Sequence, residues 1–397
     1  MARDMPDVGS HTLLVLTVGG SLLGYVGWTA LRNRRLPEAG ALFERIAPFL
    51  GVQLLVVYAA AAIAKMNTGF FDASISCAAS MSRQVAWFHP SLLDASWRIM
   101  PAIWGTVLVE ITLPVLLALP RTRSIGLVLG TAFHAVLALA GNVPFSALAL
   151  AVYVVFLPTD TATRLRSLTA RRPRLGRWAT CTARVATSPV FPFVAVSCWL
   201  AGSVVFPPHP GTRPALVSDG TRLLVFAAAA GGIALFVGAR RGSAEGQRPR
   251  SLRLGHPIFA IGVVLVVANS LSPYLGLKTD SSFTMFSNLY TEKGFWNHLF
   301  IPEAVRVFAY QDHIVRITGS DDPGLASTTQ DGTVFVRYDL ERYLRSRPGI
   351  TASYVPIAGG GPTIGTTRTY GPARALLLDR VFKFQTVPPP TRGGCSR

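Results

Sequence analysis

The sequence predicts an all-α polytopic membrane helical bundle of about eight transmembrane helices, followed by a small C-terminal extracytoplasmic α+β domain. Three observations carry this reading. Half of the 397 residues are apolar and only 15% are charged, with a mean hydropathy of +0.39, whereas soluble domains carry about 25% charged residues. The charges gather in short segments between apolar runs, several of which reach the roughly 20 residues that span a bilayer. After residue 275 the long runs give way to short alternating stretches.

The predicted spans are 11–31, 46–65, 100–119, 123–142, 144–158, 189–207, 222–239 and 256–275, and the segment around Trp87 to Ser91 suits an additional interfacial or re-entrant helix. The first run is too long for the apolar part of a secretory signal, and arginines follow rather than precede it, so it reads as a retained helix. Orientation follows from arginine placement. Loops 32–45, 121–123, 159–188 and 240–255 hold most of the arginines and fall on one side, the cytoplasmic one. The N-terminus, loop 66–99 and everything beyond the last span are then extracytoplasmic, in a multi-pass protein of the cell membrane. A net charge of +18 is thereby read as facing anionic membrane lipid rather than nucleic acid.

The domain division expected is 1–275 for the membrane domain, 276–387 for the α+β domain and 388–397 for a disordered tail. Within the second part, Thr333–Asp339 and Val381–Val387 alternate like strands, Leu340–Arg347 reads as a helix and Gly359-Gly360-Gly361-Pro362 as a loop. The four cysteines, Cys77, Cys181, Cys198 and Cys395, have no metal-ligand spacing, so no metal is expected. Whether Cys77 and Cys395 pair is left open.

Ionisable residues in apolar helices are costly and mark function. Glu110 in the third span and His134 in the fourth each lie about ten residues, or about 15 Å, into the membrane. They are expected to meet, either as a pair that holds two helices together or as part of a site. Lys65 ends the second span. An interfacial lysine can simply snorkel to water. Yet of 38 basic residues only Lys65, Lys278, Lys293 and Lys383 are lysine, and lysine, unlike arginine, can lose its proton when desolvated. Residues 269–298 mix aromatic, hydroxyl and amide side chains. Tyr274, Phe283, Phe286 and Trp296 suit either an interfacial belt or the lip of a ligand pocket.

At these residues the chain resembles a family. Tyr58-Ala-Ala-Ala-Ala-Ile-Ala-Lys65-Met-Asn67-Thr-Gly-Phe-Phe-Asp72 is similar to the helix-end motif of the vitamin K-dependent gamma-glutamyl carboxylases and their bacterial relatives, which share the horizontally transferred transmembrane (HTTM) domain. Phe133-His134 with Asn142, Phe145 and Phe156-Leu157-Pro158 resembles the family's later histidine-bearing helix. Glu110 before Leu113-Pro114 resembles an acidic position in the helix before it. Ser272 to Lys278, continuing to Asn297-His298, resembles the segment that leaves the last membrane helix. The resemblance covers roughly residues 46–315.

It implies Lys65 as catalytic base with His134 and Glu110 beside it, and Asn67, Tyr274, Phe283, Phe286, Trp296 and His298 as cofactor contacts. The implied cofactor is a reduced quinone, like vitamin K hydroquinone, used with oxygen and carbon dioxide in a carbon–carbon lyase type of reaction. The implied partner is an exported peptide or protein. The function expected is therefore a quinol-dependent membrane enzyme modifying an exported peptide or lipid-soluble substrate at the extracytoplasmic face. The alternative is a non-catalytic membrane subunit for maturation or immunity of an exported peptide. A transporter is disfavoured, because no inverted repeat or pair of broken helices is visible.

Overall fold

A computed structural model of the chain describes residues 10–85, 96–170, 177, 216–240, 249–357, 366–369, 383–387 and 395. The expected span 189–207, the re-entrant segment around Trp87 to Ser91 and the loop at Gly359 to Pro362 lie outside the described residues. Helix α1 is Ser10–Asn33 and α2 is Ala39–Ala64; the short α3 (Thr68–Phe71) and α4 (Cys77–Val85) follow. Next come α5 (Ile99–Ala118), α6 (Arg123–Leu139), α7 (Val143–Tyr153), α8 (Thr161–Ala170), α9 (Leu216–Arg240) and α10 (Pro257–Leu271). Among the described residues, four helices are long and apolar enough to cross a membrane: Leu13–Asn33, Ala39–Ala64, Ile99–Ala118 and Gly220–Val237. Three shorter apolar helices, Arg123–Leu139, Val143–Phe156 and Pro257–Leu271, accompany them. The chain is a mostly helical, multi-pass membrane protein.

Contacts divide the chain into two compact units. The first comprises Met1–Ser82, Ala95–Pro114 and Leu254–Arg397, and the second Arg83–Asp94 and Val115–Arg253. In the first unit α1, α2 and α10 meet at Gly262, where a Cβ would come within 2.5 Å of Ser21 Oγ and 2.7 Å of the Phe49 ring. The absent side chain lets Phe49 stack on Phe259 with ring centroids 5.1 Å apart. Helix α10 starts where the sequence dictates, since Pro257 occupies its first turn and His256 Nδ1 accepts from Ile258 N. Helix α5 shows why a nearly uniform apolar run still has two sides. Trp104, Leu108, Ile111 and Val115 are exposed, while Ile103, Val107, Glu110 and Leu113 are buried. The first stripe is available to lipid, and Glu110 lies on the other.

In the second unit α9 packs against α6 and α7. Buried Arg123 donates from Nε to Leu117 O, from Nη2 to Ala118 O and from Nη1 to Arg250 O. Its guanidinium thus caps the carbonyl end of α5, where a cation is favoured.

The C-terminal part of the first unit carries a four-stranded sheet ordered β2-β1-β3-β4, formed by β1 (Ile314–Ser320), β2 (Val334–Val336), β3 (Thr351–Pro356) and β4 (Thr366–Thr369). All pairings are antiparallel, with a register shift between Ile317 and Gly319. Helices α11 (Pro323–Asp331) and α12 (Arg337–Ser346) complete it. The expected strand Thr333–Asp339 is shorter than predicted: it ends at Val336, and the helix begins at Arg337 rather than Leu340. The amphipathic spacing that buries Leu340 and Leu344 wins over alternation. One face packs Val315, Ile317 and Tyr354 with Leu325, Leu340 and Leu344. The other packs Ile314, Val334, Val336, Phe384 and Val387 with Tyr290 and Phe295. Cys395, in the segment expected to be a disordered tail, is disulfide-bonded to Cys77 at the start of α4, with Cα atoms 4.6 Å apart.

Candidate functional site

Helix α2 ends on Lys65, whose backbone N–H still bonds to Ala61 and Ala62 carbonyls. The chain then turns into α3 through Asn67, whose side-chain oxygen accepts from Phe70 N at 2.8 Å as an N-cap. This tight exit prevents Lys65 from reaching out to water. The side chain is only 4% exposed, and Nζ lies 2.9 Å from Glu110 Oε2 and 3.1 Å from the Met285 carbonyl. The Phe70 ring lies 5.8 Å from the same nitrogen, within cation–π range. The snorkelling reading of Lys65 does not describe this geometry. Glu110 is buried too, so the ion pair is enclosed.

The partner found for Glu110 is therefore Lys65. His134 lies in the second unit, fully buried, with Nδ1 3.4 Å from Ser146 Oγ and its ring against Phe145 and Tyr153. A count of depth along two consecutive helices considers neither Lys65, at the end of α2, nor the Met285 carbonyl, in the loop after α10, that holds it.

That loop closes the site. Among residues 281–288, Ser281, Phe283, Phe286 and Asn288 all have left-handed backbone, with φ of 56°, 58°, 52° and 55°. Residues other than glycine held there cost about 1–3 kcal/mol each and cluster at ligand and active sites. The loop is held by side chains that bond mainly to backbone, with Asn297 Nδ2 also donating to Asn67 Oδ1 at 3.3 Å. Asn67 Nδ2 donates to Ala64 O and Ser287 O at 2.7 and 2.6 Å. Asn288 accepts from Cys77 N at 2.7 Å and donates to Ile75 O at 3.0 Å. Asn297 donates to Asn288 O and accepts from Tyr290 N.

The expected cofactor contacts separate into two groups on this basis. Asn67 is committed as above. His298 accepts at Nδ1 from Phe300 N and Ile301 N, which leaves Nε2 as the donor to Ile63 O at 3.0 Å. Its pKa is lowered, chiefly by burial. Trp296 donates to Ile301 O at 2.8 Å. These three position the loop against the end of α2. Tyr274 differs: it is buried beside Ala64 and Leu289, edge-on to His298 at 5.4 Å, and its hydroxyl has no hydrogen-bond partner among the described residues. Phe283 is buried and Phe286 half-buried.

Two further buried groups, Glu292 and Lys278, stand outside the apolar helices. Glu292 is fully buried, with Oε2 accepting from Thr291 N at 3.0 Å. Burial pushes its pKa up from 4.5 to about 7. Burial likewise brings the Lys278 ammonium down to about 8. For Glu292 the folded chain holds a proton between pH 4.5 and about 7 that the unfolded chain has released. Stability therefore falls as pH rises through that window. Glu292→Gln should flatten this slope and raise the unfolding temperature above pH 7, by several degrees, in detergent-solubilised protein followed by thermal denaturation. An unchanged slope would remove Glu292 as its source.

No metal-binding group of three or more His, Cys, Asp or Glu occurs among the described residues. No curated protein and no solved structure matches the chain. Residues 42–160, which carry Lys65, Asn67, Glu110 and His134, match the family model of the HTTM domain.

Proposed function

We propose that this chain is a membrane enzyme that takes a proton from a lipid-soluble substrate, with Lys65 and Glu110 as the accepting pair. The observation that supports it is the enclosed 2.9 Å ion pair beside a loop with four left-handed residues other than glycine. A purely anchoring lysine would not need that loop. The ionic pair and its neutral form, Lys65 amine beside Glu110 acid, hold the same number of protons. A shift of one proton from Nζ to Oε2 exposes an amine lone pair. The amine then takes the substrate proton, ending as ammonium beside a neutral acid. The Met285 carbonyl holds Nζ in place throughout.

The residues present fit a reduced quinone. Tyr274 offers a buried hydroxyl with no partner among the described residues, suited to a ring oxygen, and Phe283 and Phe286 offer aromatic surface. With oxygen and carbon dioxide, such a quinol would supply the carboxylation chemistry that the family resemblance implies, on glutamate of an exported peptide. We place the site and the C-terminal domain on the extracytoplasmic side. The arginine-rich loops support this, as does the Cys77–Cys395 bond, since disulfides persist in oxidising compartments. His134 is assigned a pocket role in its own unit.

Quinol-dependent oxygen uptake, with mass spectrometry of co-expressed exported peptides for carbon dioxide gain on glutamate, tests the proposal. Lys65→Arg, which cannot give up a proton, should lower the rate by about 100-fold or more while the protein still inserts. Full activity in that variant would end the role of Lys65 as base. A wild-type chain with no quinol-dependent activity would favour the non-catalytic subunit instead.

A further inference from the structure

Helix α10 spans 15 residues, about 22 Å at 1.5 Å per residue, against a hydrocarbon thickness of about 30 Å. Beyond Leu271 the chain does not continue as helix but turns at Ser272 to Gly276. At this end lies an exposed apolar patch: Leu299, Phe300, Val307, Phe308 and Tyr310, with Phe300 75% and Val307 71% exposed. The patch is fixed to the helix end. Val307 N and Phe308 N both donate to Leu275 O, at 3.2 and 2.9 Å. Gly276, at φ 81°, allows this approach, since a Cβ there would run into the Phe308 carbonyl. On the other flank, His298 Nδ1 holds Phe300 N and Ile301 N, and the Trp296 indole holds Ile301 O.

The charge within the patch is neutralised. Arg306 is paired with Glu303 at 3.1 Å and with Asp312 at 2.8 Å, and its side chain is largely buried. The patch also continues an apolar surface of α10 itself, where Ile261, Val264, Leu265 and Leu271 are exposed.

We propose that residues 299–310 are an interfacial wedge that inserts into the lipid leaflet at the C-terminal end of α10, supplying the apolar depth this short helix lacks. A helix shorter than the bilayer otherwise thins the membrane or draws flanking residues inward. A preformed apolar ledge meets the mismatch without either. It also seats the sheet domain at a fixed height on the membrane, whichever side that is, so the inference does not depend on the catalytic reading.

The experiment uses the full chain with Cys181→Ser and Cys198→Ser, the Cys77–Cys395 bond kept. Phe300→Cys or Val307→Cys is labelled with an environment-sensitive nitrobenzoxadiazole fluorophore. Both positions are exposed, so the exchange disturbs little packing. In phosphatidylcholine vesicles, both labels should show blue-shifted emission and at least twofold quenching by shallow spin-labelled lipid. A label at Thr329→Cys on α11 should show neither. Water-like, unquenched emission from both Phe300 and Val307 labels would overturn the proposal and leave the patch to a protein or peptide partner.

Discussion

Lys65→Met should cost the folded protein about 3–5 kcal/mol, because it leaves the Glu110 carboxylate charged, enclosed and unpaired. Glu110→Leu should cost a similar amount by stranding the ammonium. The double variant should recover a large part of the loss, since an apolar pair of similar volume is often neutral relative to a buried ion pair. The measurement is a double-mutant cycle on the thermal unfolding of detergent-solubilised protein. The geometry expects strong coupling between Lys65 and Glu110, whose charged atoms are 2.9 Å apart. Additive losses for Lys65 and Glu110 would refute the ion pair. The cycle reads stability alone, so it stands or falls independently of any quinol chemistry.

Cys395→Ser should lower stability by about 2–4 kcal/mol. The bond joins positions 318 residues apart, and constraining so long a loop removes much entropy from the unfolded chain. It acts near the site as well, since Cys77 N donates to Asn288 Oδ1, and Asn288 is one of the left-handed residues of the loop. Loss of the bond should therefore loosen residues 281–288 before it loosens the helices. Hydrogen exchange should show this as faster exchange in that loop, and thermal unfolding as a lower midpoint. In intact cells, with Cys181→Ser and Cys198→Ser, the half-buried Cys395 thiol freed by Cys77→Ser should react with a membrane-impermeant thiol reagent applied outside. Reaction only after the membrane is broken would reverse the orientation.

Much of the architecture was legible in the chain because membrane helices are specified locally. A run such as residues 99–118 satisfies its own backbone and excludes charge, so length and hydropathy suffice to find it. The same locality made Glu110, Lys65 and His134 conspicuous, since an ionisable group in an apolar run needs no neighbour to be noticed. Arginine in the loops gave an expected orientation on equally local grounds. The division into strands and helices after residue 313 was readable only in outline. There, short segments such as Thr333–Asp339 hold signals for both periods, and burial of Leu340 and Leu344 decides between them.

Partnership was decided by tertiary structure alone. Depth along two helices pointed from Glu110 to His134, yet the packing joins Glu110 to Lys65 and both to a loop 175 or more residues away in sequence, through the Met285 carbonyl. Neither the left-handed backbone at Phe283 and Phe286 nor the commitment of Asn67, Trp296 and His298 to the fold can be read from residue type, because each depends on where distant backbone carbonyls and amides arrive. The cysteines likewise offered no pairing by spacing, and the sheet domain's return to α4 brings Cys395 to Cys77. The sequence determined which groups are too costly to bury alone; the fold chose their partners, because only three-dimensional packing sets which charge and which carbonyl come within reach.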